Sequence, residues 1–320
     1  MLRSASSLFA LVAFVTIFAG SSRAQENPWE GMAAPFDSAI IHYKVSGNQN
    51  GEETLYIRKG GKETAKVTRS SGKVLFITQK TNTVEIVTPD KVVHIDMDKK
   101  SGTEMVNPQK YMIEEYEKLS AEDKKTVREN AKKMGVKGAS MLQQMGGQFK
   151  PEAAEFLGYK CDVVTFLGST VYQISGTAIP LKTEMSMAGM AINTVATEVE
   201  ENVDPPDEAF EPPPGVEIVF DEKADEMNRE MAKSMIDWLK DPESSRRMDE
   251  MEKEMREARE REDEKESGPE QAEQEKYESE EEPERVEEKE AEEPPEQDEK
   301  MEKAREMMKK GMDALKGLFK

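Results

Sequence analysis

The chain has 320 residues, 45 Lys plus Arg against 66 Asp plus Glu, a formal net charge of −21 at pH 7, and only 36% hydrophobic residues against 35% charged ones. An ordinary soluble domain is nearer half apolar and a quarter charged, so one uniformly packed core is excluded. The acid is concentrated late: residues 221–320 hold 37 acids and 21 bases, which makes the first two thirds read as a globular domain and the last third as a charged extension. Phosphate contacts need clusters of Lys and Arg, so this balance argues against nucleic acid as a partner.

Residues 1–24 follow the three-part plan of a secretory signal peptide. Arg3 gives a basic start, residues 8–18 are apolar without a charge, and Gly20 precedes the small-residue site Ser22-Arg23-Ala24. Cleavage is expected near Ala24, with delivery to the periplasm or secretion. The apolar run is short for a bilayer span, and no Cys follows the cleavage site to take a lipid. Residues 25–35 read as an N-terminal linker. One cysteine, Cys161, rules out an internal disulfide, so an exported domain must hold by packing alone; a bacterial periplasm fits that best. The lone thiol reads as a small buried hydrophobe.

From residue 36 to about 98 the hydrophobic period is two. Ala39, Ile41, Tyr43 and Val45 share one strand face, and Gly47-Asn48-Gln49-Asn50-Gly51 reads as a loop. Further strands are expected at 55–58, 63–69, 73–79, 83–88 and 91–97, a spacing that describes an antiparallel meander with one wet face. The period then becomes 3.6. Asn107 caps a helix that opens with Pro108 and carries Met112, Ile113, Tyr116 and Leu119; Ser120 with Asp123 opens another, which Gly135 is expected to stop, and 139–145 adds a short third turn. Strands resume at 156–166, 170–175, 181–186 and 191–200. Asp204-Pro205-Pro206 and Pro212-Pro213-Pro214 bracket Phe210 in an extended segment before a last edge strand at 216–220.

Residues 221–265 read as charged, Met-rich helices, the first with Ala224, Met227, Met231, Met235 and Trp238 on one face. Residues 266–298 form a Glu/Pro-rich linker expected to be disordered, because burial cannot offset roughly 1–2 kcal/mol of ordering entropy per residue. Residues 299–320 recover a stripe of Met301, Ala304, Met308, Met312, Leu315 and Phe319 with seven bases against four acids, a basic amphipathic helix. It would dock on its own domain, on an envelope protein, or on a membrane surface.

Catalytic chemistry is poorly supplied. The two histidines, His42 and His94, read as solvated strand residues without converging partners, and neither a nucleophile elbow nor a phosphate-cradling glycine loop occurs. Asp96-Met97-Asp98 fails as a calcium loop, since Lys100 stands where an oxygen ligand belongs and Ser101 where glycine is needed; a hairpin turn is expected instead. The 21 methionines, among them Met185, Met187 and Met190, suit Cu(I) chemistry in principle, but adaptable packing or hydrophobic-ligand contact is preferred. No enzyme, metal or cofactor is expected.

The segments Gly158-Tyr159-Lys160-Cys161-Asp162-Val163, Val171-Tyr172-Gln173-Ile174, Ile179-Pro180-Leu181-Lys182-Thr183-Glu184 and Phe210-Glu211-Pro212-Pro213 resemble a bacterial periplasmic domain family similar to the lipoprotein-sorting carriers, the LolA/LolB-like group. Residues 173–178 depart from that pattern in offering no Trp before Ile179-Pro180. The resemblance covers residues 36–220 and implies an α+β fold. Its antiparallel sheet would curve as an unclosed half-barrel around inserted helices, followed here by the helical, partly disordered acidic extension. It also implies a hydrophobic ligand, a lipid or a lipoprotein acyl chain. The lining expected for that ligand is Ile41, Tyr43, Phe76, Met112, Ile113, Tyr116, Met185 and Met187, the alternative being that these residues fill a closed core. A second functional reading makes the domain an envelope scaffold that works through its acidic tail and terminal helix.

Overall fold

A computed structural model describes residues 27–29, 34–74, 77–144, 146–187 and 190–266. The signal peptide, nearly all of the Glu/Pro-rich linker and the basic helix at 299–320 lie outside the described residues. The chain divides into two compact units at Ser245/Arg246, the first holding the sheet and three helices.

Six strands come first: β1 (Ala39–Gly47), β2 (Gln49–Arg58), β3 (Glu63–Val74), β4 (Ile77–Val87), β5 (Lys91–Asp96) and β6 (Ser101–Val106). Two helices follow, α1 (Pro108–Glu117) and α2 (Ala121–Gln144), then β7 (Gln148–Phe156), β8 (Tyr159–Phe166), β9 (Ser169–Ile174), β10 (Pro180–Met187) and β11 (Met190–Glu201). The short strand β12 (Glu217–Phe220), α3 (Glu222–Leu239) and α4 (Ser244–Glu266) complete the described elements. All twelve strands join one sheet in the order β12-β6-β5-β4-β3-β2-β1-β11-β10-β9-β8-β7. Among the described strands only the β12–β6 pair is parallel. The sheet is unclosed, and the architecture is the α+β half-barrel. Two meanders, β1–β6 and β7–β11, meet where β1 pairs with β11.

Several expected elements are re-divided. The strands expected at 63–69, 73–79 and 83–88 are two long arms, β3 and β4, paired from Thr64↔Val87 to Val74↔Ile77. Ser70-Ser71-Gly72 and Thr81-Asn82, which read as turn residues, lie inside the ladder instead, with Ser70 opposite Thr81. Gly72 belongs there because a Cβ would stand 2.0 Å from the Asn48 carbonyl oxygen. The real turn before β2 is at Gly47, whose φ of 102° is open chiefly to glycine. The strand expected over 156–166 is the β7–β8 hairpin, turning at Leu157-Gly158 with φ of 50° and 81°.

Both helix starts behave as the sequence implies. The Asn107 side chain accepts from Gln109 N at 2.9 Å ahead of Pro108, and Ser120 Oγ accepts from Asp123 N at 3.1 Å. Gly135 does not stop α2, which runs on and absorbs the third turn. A mid-helix glycine costs about 1 kcal/mol, and burial of Leu142 against Val164 and Phe166 offsets that. In α3 the buried residues are Asp225, Ala232, Met235, Ile236 and Leu239, whereas Met227 and Met231 of the expected stripe are 61% and 46% exposed. Among the described residues no helix is long and apolar enough to cross a membrane.

Candidate ligand-binding site

Residues directly opposed across an antiparallel ladder share a face of the sheet. From Ile41 the registers run through Leu55, Lys66 and Glu85 to His94. From Ile40 they run through Tyr56, Ala65 and Ile86 to Val93. Ile41 is fully buried while His94 at the other end of its row is exposed; Ile40 is half-buried while Ala65, Ile86 and Val93 are fully buried. The dry face therefore changes sides between β1 and β3. On the wet side His94 Nδ1 lies 3.2 Å from Glu85 Oε2. That hydrogen bond, helped by the Lys66 charge and opposed by burial, holds the Glu85 carboxyl below its ordinary value.

The two dry regions are covered in different ways. Around β1 the cover is the sheet's own side chains with Phe36: Ala39, Ile41, Tyr43, Ile57, Cys161, Ile174, Leu181 and Ala196 form one cluster. Over β3–β5 the cover is the segment joining β11 to β12. It leaves the sheet at Asn202, whose N–H donates to Ser38 O at 2.7 Å, and returns where Glu217 N donates to Lys100 O at 3.1 Å. Between these points a single 3-10 turn, Asp207–Phe210, drops the Phe210 ring among Ala65, Val84, Ile86, Val93 and Ile95, leaving it 7% exposed. The strap is held by side chains, the Phe210 ring foremost, with Ala209 and Val216 packed beside it, and not by a backbone ladder. Pro205, Pro206, Pro212, Pro213 and Pro214 have no N–H to give a sheet, and Ala209 N and Glu211 N donate to Pro206 O and Glu208 O within the strap itself.

Arg58 is the polar clasp. Its guanidinium lies 3.8 Å over the Phe210 ring, and Nη1 donates to Asp207 Oδ1 at 2.7 Å. Its Nε donates to Glu63, which also accepts from Lys59 Nζ at 2.7 Å. Burial alone would push the Glu63 carboxyl up, but the hydrogen bonds and charges of Lys59 and Arg58 outweigh it and hold Glu63 below its ordinary value. The Glu63 residue is buried.

The residues expected to line a ligand cavity fall into separate groups. Ile41 and Tyr43 sit in the β1 cluster, where Tyr43 Oη donates to Pro180 O at 2.7 Å; burial first, and the Glu53 charge second, push its phenol well up. Tyr116 is 1% exposed in a helical cluster with Val127, Ala131, Met235, Ile236 and Leu239, against which Met112 and Ile113 pack half-buried. The Tyr116 ring meets Trp29 edge-on at 5.5 Å, and its oxygen accepts from Arg128 Nη1 at 2.8 Å. Met185 is half-buried opposite Ile192 and Ser169. Met187 pairs with Met190 through the ladder; its side chain, like Phe76, lies outside what is described. Sequence reasoning passed over Ala65, Val84, Ile86, Val93 and Ile95. Their strict alternation signalled a dry face, and the lone Phe210 between proline clusters signalled its cover.

Other surroundings are polar. An open cavity of about 460 Å³ is bordered by Gly47, Asn48, Asn50, Ser71, Gly72 and Thr78, a lining unsuited to an acyl chain. His42 Nε2 lies 3.0 Å from Glu200 Oε1, a half-exposed pair. Among the described residues no three His, Cys, Asp or Glu side chains converge to hold a metal ion.

No family model and no curated protein matches the chain. Among solved structures it is similar to an uncharacterized conserved protein from Thermus thermophilus, at 7% identity and a TM-score of 0.34 over 66% of this chain and 98% of that one. It is also similar to MucB, at 9% identity and a TM-score of 0.28 over 67% of this chain and 66% of that one. A third is LprF from Mycobacterium bovis, at 11% identity and a TM-score of 0.24 over 62% of this chain and 96% of that one.

Proposed function

We propose that the protein is an exported, non-enzymatic binding module that holds the apolar part of a lipid or similar amphiphile against its half-barrel sheet. The observation that supports this reading is the cover over β3–β5. Ala65, Val84, Ile86, Val93 and Ile95 are roofed by Phe210 on a proline-rich strap, with Ala209, Val216 and Ile218 packed beside the ring, rather than by a helix or a second sheet. A dry sheet face normally meets a whole layer of secondary structure; a face roofed by a strap is one that a ligand can share. Export rests on the plan of residues 1–24. The test is organic extraction of the purified mature chain followed by lipid mass spectrometry, with titration of a fluorescent fatty acid. A co-purifying lipid or saturable uptake supports the reading, and the lack of both overturns it.

The scaffold reading rests on the acidic segment 266–298 and on the basic amphipathic stripe of residues 299–320. Deletion of residues 266–320 separates the two. Loss of a pulled-down envelope partner supports the scaffold, whereas unchanged fatty-acid uptake supports the binding module.

A further inference from the structure

We infer that the seat of Phe210 is a subsite for an anionic amphiphile, and that Asp207 and Phe210 stand in for that ligand while it is absent. The inference rests on the binding reading above and adds the ligand's head-group charge and the element it displaces. Asp207 and Phe210 are three residues apart on a 3-10 turn, a spacing that stacks side chains on one edge. Both engage one residue: Asp207 bonds the Arg58 guanidinium at 2.7 Å and the Phe210 ring lies 3.8 Å beneath it. The strap thus presents an apolar group and a carboxylate to a fixed pair of receptors, the Ala65/Ile86/Val93 face and Arg58. A fatty acid, or an acyl chain bearing a phosphate head, offers the same two groups.

The receptors are built into the sheet and the stand-in is not. The side chains of Arg58 and Glu63 are 27% and 9% exposed, whereas that of Asp207 is 89% exposed. Should the strap lift, Arg58 and Lys59 would face Glu63 alone, two cations on one carboxylate, which leaves a positive charge for an anionic head. The apolar rows that the ring leaves would be covered again by the ligand's chain. The strap closed is then a competitor, and apparent affinity scales with the fraction of molecules in which it is open.

The experiment titrates the full mature chain with cis-parinaric acid and with its methyl ester, in the parent and in Asp207→Asn, Phe210→Ala and Arg58→Gln variants. Loss of an exposed ion pair is expected to tighten acid binding by about two- to fivefold in Asp207→Asn. Loss of the ring is expected to tighten it by about tenfold or more in Phe210→Ala. Arg58→Gln is expected to lower acid affinity to that of the ester. Hydrogen exchange at the Ala209 and Glu211 amides should accelerate when the acid binds. Displacement by oleate or by lysophosphatidylglycerol, but not by oleyl alcohol, identifies the preferred head group and supports the inference; equal displacement by the alcohol overturns it. Asp207→Asn keeps the question answerable if Phe210→Ala does not fold, because its side chain packs against little. A parent that takes the acid while the strap variants match it and exchange at 202–216 is unchanged overturns the inference alone. Failure of every chain to take any amphiphile overturns the binding reading with it.

Discussion

Asp225 decides how α3 sits. Its carboxylate is 7% exposed and accepts from Tyr111 Oη at 2.9 and 2.8 Å and from Val106 N at 3.1 Å, while Arg229 Nη2 donates to the same phenol at 3.0 Å. Replacing Asp225 by Ala strands the buried Tyr111 hydroxyl and the half-buried Val106 N–H, and a loss of about 2–4 kcal/mol is expected from urea unfolding curves. Trp238 shows the converse. Its Nε1 is buried without a hydrogen-bond partner, so Trp238→Phe should leave the melting temperature unchanged or raise it. Ile41, fully buried, tests the expected ligand lining directly. Ile41→Ala should cost about 2–5 kcal/mol as a core truncation, and unaltered fatty-acid affinity in the folded variant would assign Ile41 to packing alone. Glu63 adds a pH dependence. Its carboxyl is depressed in the folded chain, so the stability it contributes is present above its ordinary value of 4.5 and is lost as pH falls below it. Melting temperatures recorded between pH 6 and pH 3 should therefore fall less steeply in Glu63→Gln than in the parent.

At the scale of elements, the legible pieces were those with strong local chemistry. Alternating Ala39, Ile41, Tyr43 and Val45 marked β1, and Asn107-Pro108 and Ser120 marked the two helix starts. β7 was hidden because it is an edge strand with almost no apolar alternation, and Pro151 and the φ of 47° at Glu152 sit in a shift of its register. The β3–β4 arms were split in the sequence reading because Ser, Gly, Thr and Asn also serve inside a ladder when neighbouring backbones press close. The stripe read along α3 held at its C-terminal end, where Met235 is buried and Trp238 packs against the helical cluster, and failed at Met227 and Met231. Methionine spacing alone favoured Met227 and Met231, and the reading gave no weight to a buried carboxylate as the residue that turns a helix. The Gly47 turn is a sharp test of the β1–β2 register. Gly47→Ala would place a methyl 2.2 Å from the Ala191 carbonyl oxygen at a φ of 102°, and a loss of about 2 kcal/mol or more is expected in thermal unfolding.

For the whole molecule, an antiparallel sheet with inserted helices was readable, since meander spacing and the change of period both lie in the primary structure. The side of the sheet that would be dry was not readable. Alternation says that one face of a strand is apolar, and only pairing registers say whether successive strands agree. Here they disagree between β1 and β3; the lining drawn from the sequence divides otherwise, Ile41 and Tyr43 packing within the sheet and Met112, Ile113 and Tyr116 within the helices. The Phe210 strap was visible as prolines around an aromatic, but its partner face lies on strands more than 100 residues earlier, a relation that local patterns do not carry.

β1 sits at the centre of the sheet, with Ala39 opposite both Ile57 and Glu201. One flank of this strand meets its neighbour within a few residues of synthesis; the other waits for the polypeptide to lengthen by most of the half-barrel. Contacts so distant along the chain form late and slowly. Until residues 190–201 have emerged, that flank carries a row of unsatisfied amides, a template for a neighbouring nascent molecule. Genes cut short just before β11 should thus produce aggregates rather than a soluble half.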